Sequence, residues 1–251
     1  MLKEIISVTE LTKVFGGHVA VDHVSLKIDK GSFVSVIGPN GAGKTTFFNM
    51  ISGQLPASSG KIFFEDQDIT SLTAHKRALL GLGRSFQLTN LFPNLSALEN
   101  VQLAVQARKA KGYKLLIDRR FEESLRALAM ESLRMVQLED KFTTPASVLT
   151  HGEKRKLELA IIMAMGSKVL LLDEPTAGMS VEEVPAILKV LKDIKNRGDK
   201  TIVLVEHKMD MVISLSDRIM VLHNGRLLTE GTSEEIINNP QVQKVYLGEA
   251  V

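Results

Sequence analysis

The alternation of apolar and polar positions divides the chain into three zones. Near the start, Ile5 to Val8, Val19 to Val21, Val24 to Ile28 and Phe33 to Ile37 are short β-branched or alternating runs, separated by Gly16-Gly17 and Asp29-Lys30-Gly31. Runs of this kind between turn residues predict strands. A glycine-rich loop follows Ile37, and TTFFNMISG then predicts a helix up to Gly53, with Lys61 to Phe64 as a further strand.

The period changes in the middle zone, from about Ser96 to about Thr144, which reads as wholly helical. Ser96 and Glu99 form a capping box ahead of Val101, Leu103 and Val105. Leu125, Leu128, Leu133 and Val136 recur at helical spacing until Pro145 breaks the pattern. Residues 88–149 are therefore expected to form a helical subdomain, inserted into an α/β core built from residues 1–87 and 150–251.

In the last zone helices and apolar strands alternate. Gly152 to Met165 predicts a helix, Val169 to Leu172 a strand ending in Asp173-Glu174-Pro175, and Val184 to Lys195 a helix. Thr201 to Val205 predicts another strand and Asp210 to Leu215 another helix. Strands that are apolar throughout, alternating with helices, imply a parallel sheet covered on both faces. Asn224-Gly225 between Ile219–Leu222 and Arg226–Leu228 predicts a hairpin, and Thr232 with Glu235 a second capping box.

Composition narrows the field. A chain of 251 residues, 44% hydrophobic and 24% charged, suits one large globular domain or two small ones. Lys and Arg number 31 against 29 Asp and Glu, so a net charge of +2 predicts no bulk attraction to nucleic acid or anionic lipid. Cysteine is absent, which excludes disulfides and thiolate metal sites and fits a reducing compartment. MLKEIISVTE has no signal-peptide character and no apolar run reaches the ~18 residues of a membrane span, so the chain is expected to dock on a membrane partner at most. Residues 106–126 carry seven Lys or Arg and three Asp or Glu, a net +4 that reads either as a solvated helical face or as a contact for lipid headgroups or a membrane subunit.

The candidate chemistry begins in the loop. Gly38-Pro39-Asn40-Gly41-Ala42-Gly43-Lys44-Thr45 fits G-x-x-x-x-G-K-[ST], between an apolar strand and a helix as that motif requires. Glycine lets the backbone turn so that successive N–H groups face phosphate oxygens, and the following helix adds the positive end of its dipole. Lys44 is expected to reach the β- and γ-phosphates of ATP, and the Thr45 hydroxyl to ligate Mg²⁺. Asp173 and Glu174, at a strand's C-terminal end, are expected beside that loop, Asp173 holding Mg²⁺ and Glu174 polarising the attacking water. His207 ends the next apolar strand, at the same sheet edge, and is expected at the γ-phosphate; Glu206 beside it stays unassigned.

In this order, these residues resemble the nucleotide-binding domain of ABC transporters over essentially the whole chain. Gln87 in GLGRSFQ resembles the glutamine that senses Mg²⁺ and contacts the membrane subunit, and Phe15 in LTKVFGG the aromatic that stacks on adenine. Leu149-Thr150-His151-Gly152-Glu153 resembles the signature usually written L-S-G-G-Q, with Thr150 and Gly152 keeping the hydroxyl and N–H for the γ-phosphate. His151 and Glu153 depart from that form, as do Ser180, where the loop Ala177 to Ser180 usually ends in aspartate, and Ile161, where arginine is frequent. THGE, DEPTAGMS, VEHKMDMV and the ending EGTSEEIINNPQVQKVYLGEA are similar to the ATP-binding subunits of branched-chain amino acid-type importers.

The resemblance implies a P-loop NTPase (RecA-like) core with an N-terminal antiparallel β-subdomain and an inserted helical one. It implies an ATPase using ATP and Mg²⁺, with Lys44, Glu174 and His207 catalytic. Gly38, Asn40, Gly41, Ala42, Gly43, Thr45, Thr46, Gln87, Phe15, Thr150, Gly152 and Glu153 would bind ATP, and Thr45, Gln87 and Asp173 the metal. It also implies a head-to-tail dimer with a second ATP-binding subunit, permease subunits in the membrane, an extracytoplasmic binding protein acting through them, no nucleic acid, and a place on the cytoplasmic face of the cell membrane. An exporter of lipid or lipopolysaccharide type is the alternative. A chromosome-maintenance ATPase would need a long coiled coil between Lys44 and Thr150, and a translation factor normally carries two such domains.

Overall fold

A computed structural model describes residues 3–85, 91–109 and 119–247. In chain order the first elements are β1 (Glu4–Phe15), β2 (His18–Asp29), β3 (Phe33–Ile37), α1 (Lys44–Ser52), β4 (Ser59–Phe64), β5 (Gln67–Asp68), α2 (Ala74–Leu80) and β6 (Leu82–Arg84). Next come α3 (Ala97–Lys109), α4 (Arg119–Met135), α5 (His151–Ala164), β7 (Val169–Asp173), α6 (Val184–Arg197) and β8 (Thr201–Val205). The chain continues with α7 (Met209–Leu215), β9 (Arg218–His223), β10 (Arg226–Gly231), α8 (Ser233–Ile237) and α9 (Pro240–Leu247).

Two sheets result. The N-terminal one is antiparallel, in the order β2-β1-β4-β5. The two apolar runs at 19–28 belong to one strand, β2. Their separation in the sequence marks a bulge at Asp22-His23, where pairing jumps from Leu11↔Val24 to Lys13↔Val21 and His23 takes a positive φ of 50°. The second sheet runs β10-β9-β3-β8-β7-β6, parallel except for the β9–β10 hairpin, which turns on Asn224 (φ 47°) and Gly225 (φ 77°).

Both faces of this sheet are covered, as continuous apolar strands require. Phe33, Leu170, Leu172 and Leu204 pack under α3, α4, α5 and α6, while Val34, Val36, Leu171 and Val203 face α1 and the antiparallel sheet. The helical zone is shorter than its sequence suggests. After α4 the chain holds a single 3-10 turn, Glu139–Lys141, and then pairs back on the start of α3 through Ser96↔Pro145 and the Ala97 N–H to Thr144 carbonyl bond. Gln137, at φ 56°, is where the helical path ends. Arg77 is buried against the C-terminus of α1, its guanidinium donating to the carbonyls of Met50, Ile51, Thr70 and Leu72; burial pushes its pKa down to about 10.

Register sets the position of the site. β8 lies between β3 and β7, with Val36↔Val205 and Asp173↔Val205 as its last pairs. The loops that leave β3, β7 and β8 therefore start from one sheet edge, the C-terminal edge where α/β proteins bind ligands.

Candidate nucleotide-binding site

Those loops and the β1–β2 turn enclose a cleft of about 390 Å³. The loop residues Asn40, Gly41, Ala42, Gly43, Lys44, Thr45 and Thr46 line it together with Phe15, His18, Ala20, Glu174 and His207. Residues taken from four separate stretches of sequence thus converge here.

The loop is shaped by its glycines at two points in particular. Gly43, the N-cap of α1, has φ 96°, and a Cβ there would lie 2.5 Å from the Ala20 carbonyl oxygen. Gly38 passes so close to Leu222 that a Cβ would stand 2.1 Å from its carbonyl oxygen. Lys44 is buried, and its ammonium donates to the Gly38 and Pro39 carbonyls at 2.6 and 2.9 Å, so the charge sits inside the loop it is expected to serve.

Two of the lining residues are an acid and a base in contact. His207 Nε2 lies 2.9 Å from Glu174 Oε1. Glu174 takes φ 47°, a conformation costing about 1–3 kcal/mol in a non-glycine residue, and its N–H donates to the Val205 carbonyl at 2.9 Å. Strain of this kind at a strand end, facing a cleft, points to a role for the side chain it aims.

Asp173 lies just behind, 1% exposed. Its Oδ2 accepts from Arg84 Nη2 at 3.1 Å, and its Oδ1 has no hydrogen-bond partner among the described residues. Burial raises its pKa, the neighbouring Arg84 opposing that and Glu174 adding to it. A buried carboxylate oxygen without a donor is what a cation site looks like before its ion. Together with the Thr45 hydroxyl the set fits Mg²⁺ held by one carboxylate, one hydroxyl and nucleotide phosphates.

Thr150, Gly152 and Glu153 are not among the residues lining this cleft. They open α5, where Thr150 and Glu153 form a reciprocal capping box, so Glu153 is engaged in holding its own helix end. The Gly152 N–H donates to Glu183 Oε1 at 3.0 Å and the Ser180 N–H to Glu183 Oε2 at 3.2 Å, joining the helix end to the loop Ala177 to Ser180. Gln87, Lys111 and Lys114 lie outside the described residues. Three carboxylate or guanidinium roles were not assigned from sequence: Arg84 on Asp173, Glu183 on Gly152, and Glu206, buried beside His207. For Arg84 the available signal was a charge inside the short apolar context of GLGRSFQ.

A strand–loop–helix phosphate cradle at the edge of a parallel sheet, faced by a carboxylate and a histidine, defines a P-loop nucleotide-binding protein. The ABC transporter family profile matches residues 21–177, and that for branched-chain amino acid ATP-binding cassette transporters matches residues 226–251. The high-affinity branched-chain amino acid transport ATP-binding protein BraF of Pseudomonas aeruginosa is 38% identical, with all of both chains covered. LivG of Escherichia coli strain K12, of the same description, is 36% identical over all of both chains. The lipopolysaccharide export system ATP-binding protein LptB of Acidithiobacillus ferridurans is 34% identical, over 99% of this chain and 98% of that one.

Among solved structures, the ADP conformation of MJ1267, an ATP-binding cassette of an ABC transporter, superposes with TM-score 0.84 at 28% identity, covering 98% of this chain and 99% of that one. The dimeric post-hydrolysis state of the cassette MJ0796, bound to ADP and Pi, gives TM-score 0.77 at 28% identity, covering 91% and 99%. The chain belongs to the ABC transporter family, as an ATP-binding, ATP-hydrolysing subunit. No helix among the described residues is long and apolar enough to cross a membrane.

Proposed function

We propose that this subunit drives import of branched-chain amino acids, or of related amino acids or amides, by hydrolysing ATP in a head-to-tail pair of cassettes. The contact between Glu174 and His207, in the cleft that Lys44 and Thr45 also line, carries the hydrolytic part of this reading. Phe15 stacks on adenine. The N–H groups of the loop from Gly38 to Thr46 hold the phosphates, and Lys44 swings from its own loop carbonyls to the β- and γ-oxygens. Thr45, Asp173 and Gln87 would hold Mg²⁺, which would supply charge neutralisation to the phosphates. Glu174 accepts the proton of the attacking water, and His207 fixes the Glu174 carboxylate and reaches the γ-phosphate.

The second half of each site comes from the neighbouring subunit. Thr150 and Gly152, with Glu153 as their cap, present a helix N-terminus to the γ-phosphate, so the attraction between subunits is lost with that phosphate. A head-to-tail pair, seated on the inner face of the membrane, has two such sites, and its closing and opening drives the permease subunits that span the membrane. Import is favoured by the match of residues 226–251 and by the descriptions of BraF and LivG, although LptB keeps the exporter as a second reading.

Reconstitution with the permease subunits and an amino acid-binding protein tests the substrate. ATP turnover is expected to rise when the binding protein carries leucine, isoleucine or valine. Turnover that responds to lipopolysaccharide and ignores the loaded binding protein would replace import by export.

A further inference from the structure

Glu206 is a carboxylate to which the mechanism above gives no part. It directly follows β8, stands beside His207, and is 4% exposed. An ionised carboxylate is tolerated in such a place only when donors surround it. Here one oxygen accepts the Thr176 N–H at 3.2 Å and also the Thr176 hydroxyl. The other accepts the His207 N–H at 2.9 Å and the Lys208 N–H at 3.3 Å.

The two oxygens serve different loops. Thr176 stands two residues after Glu174 on the loop leaving β7, whereas His207 and Lys208 begin the loop leaving β8. A carboxylate needed only to cap α7 would have no reason to reach Thr176. By binding both, Glu206 ties the roots of the loops whose side chains, Glu174 and His207, meet 2.9 Å apart.

We infer that Glu206 is a positioning residue for hydrolysis: by holding Thr176 and the His207–Lys208 main chain together, its carboxylate fixes the placement of Glu174 against His207. The inference rests on the roles proposed above for that pair. An amide replaces the carboxylate only in part. In Glu206→Gln the NH₂ group either faces the His207 and Lys208 N–H groups, which loses that tie, or faces Thr176, where it can donate to the hydroxyl but leaves the Thr176 N–H without an acceptor, so the clamp is weakened in either orientation.

The test is a double-mutant cycle in the full chain, comparing wild type, Glu206→Gln, His207→Ala and the double variant for kcat, KM, ATP affinity and thermal midpoint. Glu206→Gln is expected to lower kcat by about 10- to 100-fold with ATP affinity unchanged. On the His207→Ala background it is expected to add no further loss, because it acts through His207. Thr176→Val, which removes one donor from the far side of the clamp, is expected to lower kcat less and likewise only when His207 is present, and it serves if Glu206→Gln does not fold. Losses that multiply in the double variant, unchanged kcat in Glu206→Gln, or a fall in affinity equal to that in turnover would overturn the inference. Wild-type turnover in His207→Ala would remove the role of the Glu174–His207 pair itself, and the inference with it.

Discussion

The Arg84 guanidinium lies 3.1 Å from one oxygen of Asp173, and both side chains are nearly buried, at 9% and 1% exposure. A buried pair of this kind contributes little net stability while whole, because desolvation offsets attraction. Breaking it is costly because one charge stays behind. Arg84→Met is therefore expected to lower unfolding free energy by about 3–5 kcal/mol in urea titrations. Arg84→Met with Asp173→Asn, which strands no charge, is expected to recover most of that loss. A single variant as stable as wild type would show that Asp173 does not depend on Arg84.

Phe15 is 45% exposed, with the Lys13 ammonium 5.1 Å from its ring centre, so the ring contributes little to the core. Phe15→Ala is expected to weaken ATP binding by about 0.5–1.5 kcal/mol and to leave the thermal midpoint unchanged. The chain has no tryptophan. Phe15→Trp therefore introduces a single indole, whose fluorescence is expected to change on ATP addition at near wild-type affinity.

Gly41 and Gly43 separate backbone strain from collision. Both have positive φ, 78° and 96°, but a Cβ on Gly41 meets nothing within 4 Å whereas one on Gly43 meets the Ala20 carbonyl oxygen at 2.5 Å. Gly41→Ala is expected to cost about 1–3 kcal/mol and retain weakened ATP binding. Gly43→Ala, which adds a collision with main chain, is expected to abolish binding in calorimetric titrations.

Hydrogen bonds from Gly152 and then Ser180 hold the pKa of Glu183 below the ordinary carboxylate value of 4.5. A group whose folded pKa is depressed adds stability above its unfolded pKa, and that stability is lost as pH falls through the folded value. Glu183→Gln is expected to have a thermal midpoint below that of wild type by a constant amount near neutrality, and the gap is expected to close below about pH 4.5, so that the variant's acid limb is flatter. Parallel curves for the two proteins down to the onset of acid unfolding would contradict this.

Much of this was legible in the sequence because chemistry and spacing coincide. The loop from Gly38 to Thr46 sits between an all-buried strand and a helix, and four apolar residues place Asp173 at a strand end. Asn224-Gly225 declares its hairpin for the same local reason. What escaped depends on partners distant in sequence. The contact of Arg84 with Asp173 follows from the pairing of β6 with β7, and β6 is three residues long, too short to show a period. The partners of Glu206 include Thr176, thirty residues away, and no local pattern announces a tie of that kind. The bulge at His23 interrupted the alternation that identifies a strand, so one strand read as two.

Glu174 is the residue on which hydrolysis is proposed to turn. Glu174→Gln keeps the size of the side chain and a hydrogen-bonding oxygen near His207, and removes the carboxylate proposed to accept the water's proton. Light scattering after size-exclusion chromatography, with ATP and Mg²⁺, is expected to show this variant as a stable dimer that retains ATP and hydrolyses almost none, returning to monomer when ADP replaces ATP. A Glu174→Gln protein that turns over ATP at the wild-type rate and stays monomeric would contradict both the base and the shared site.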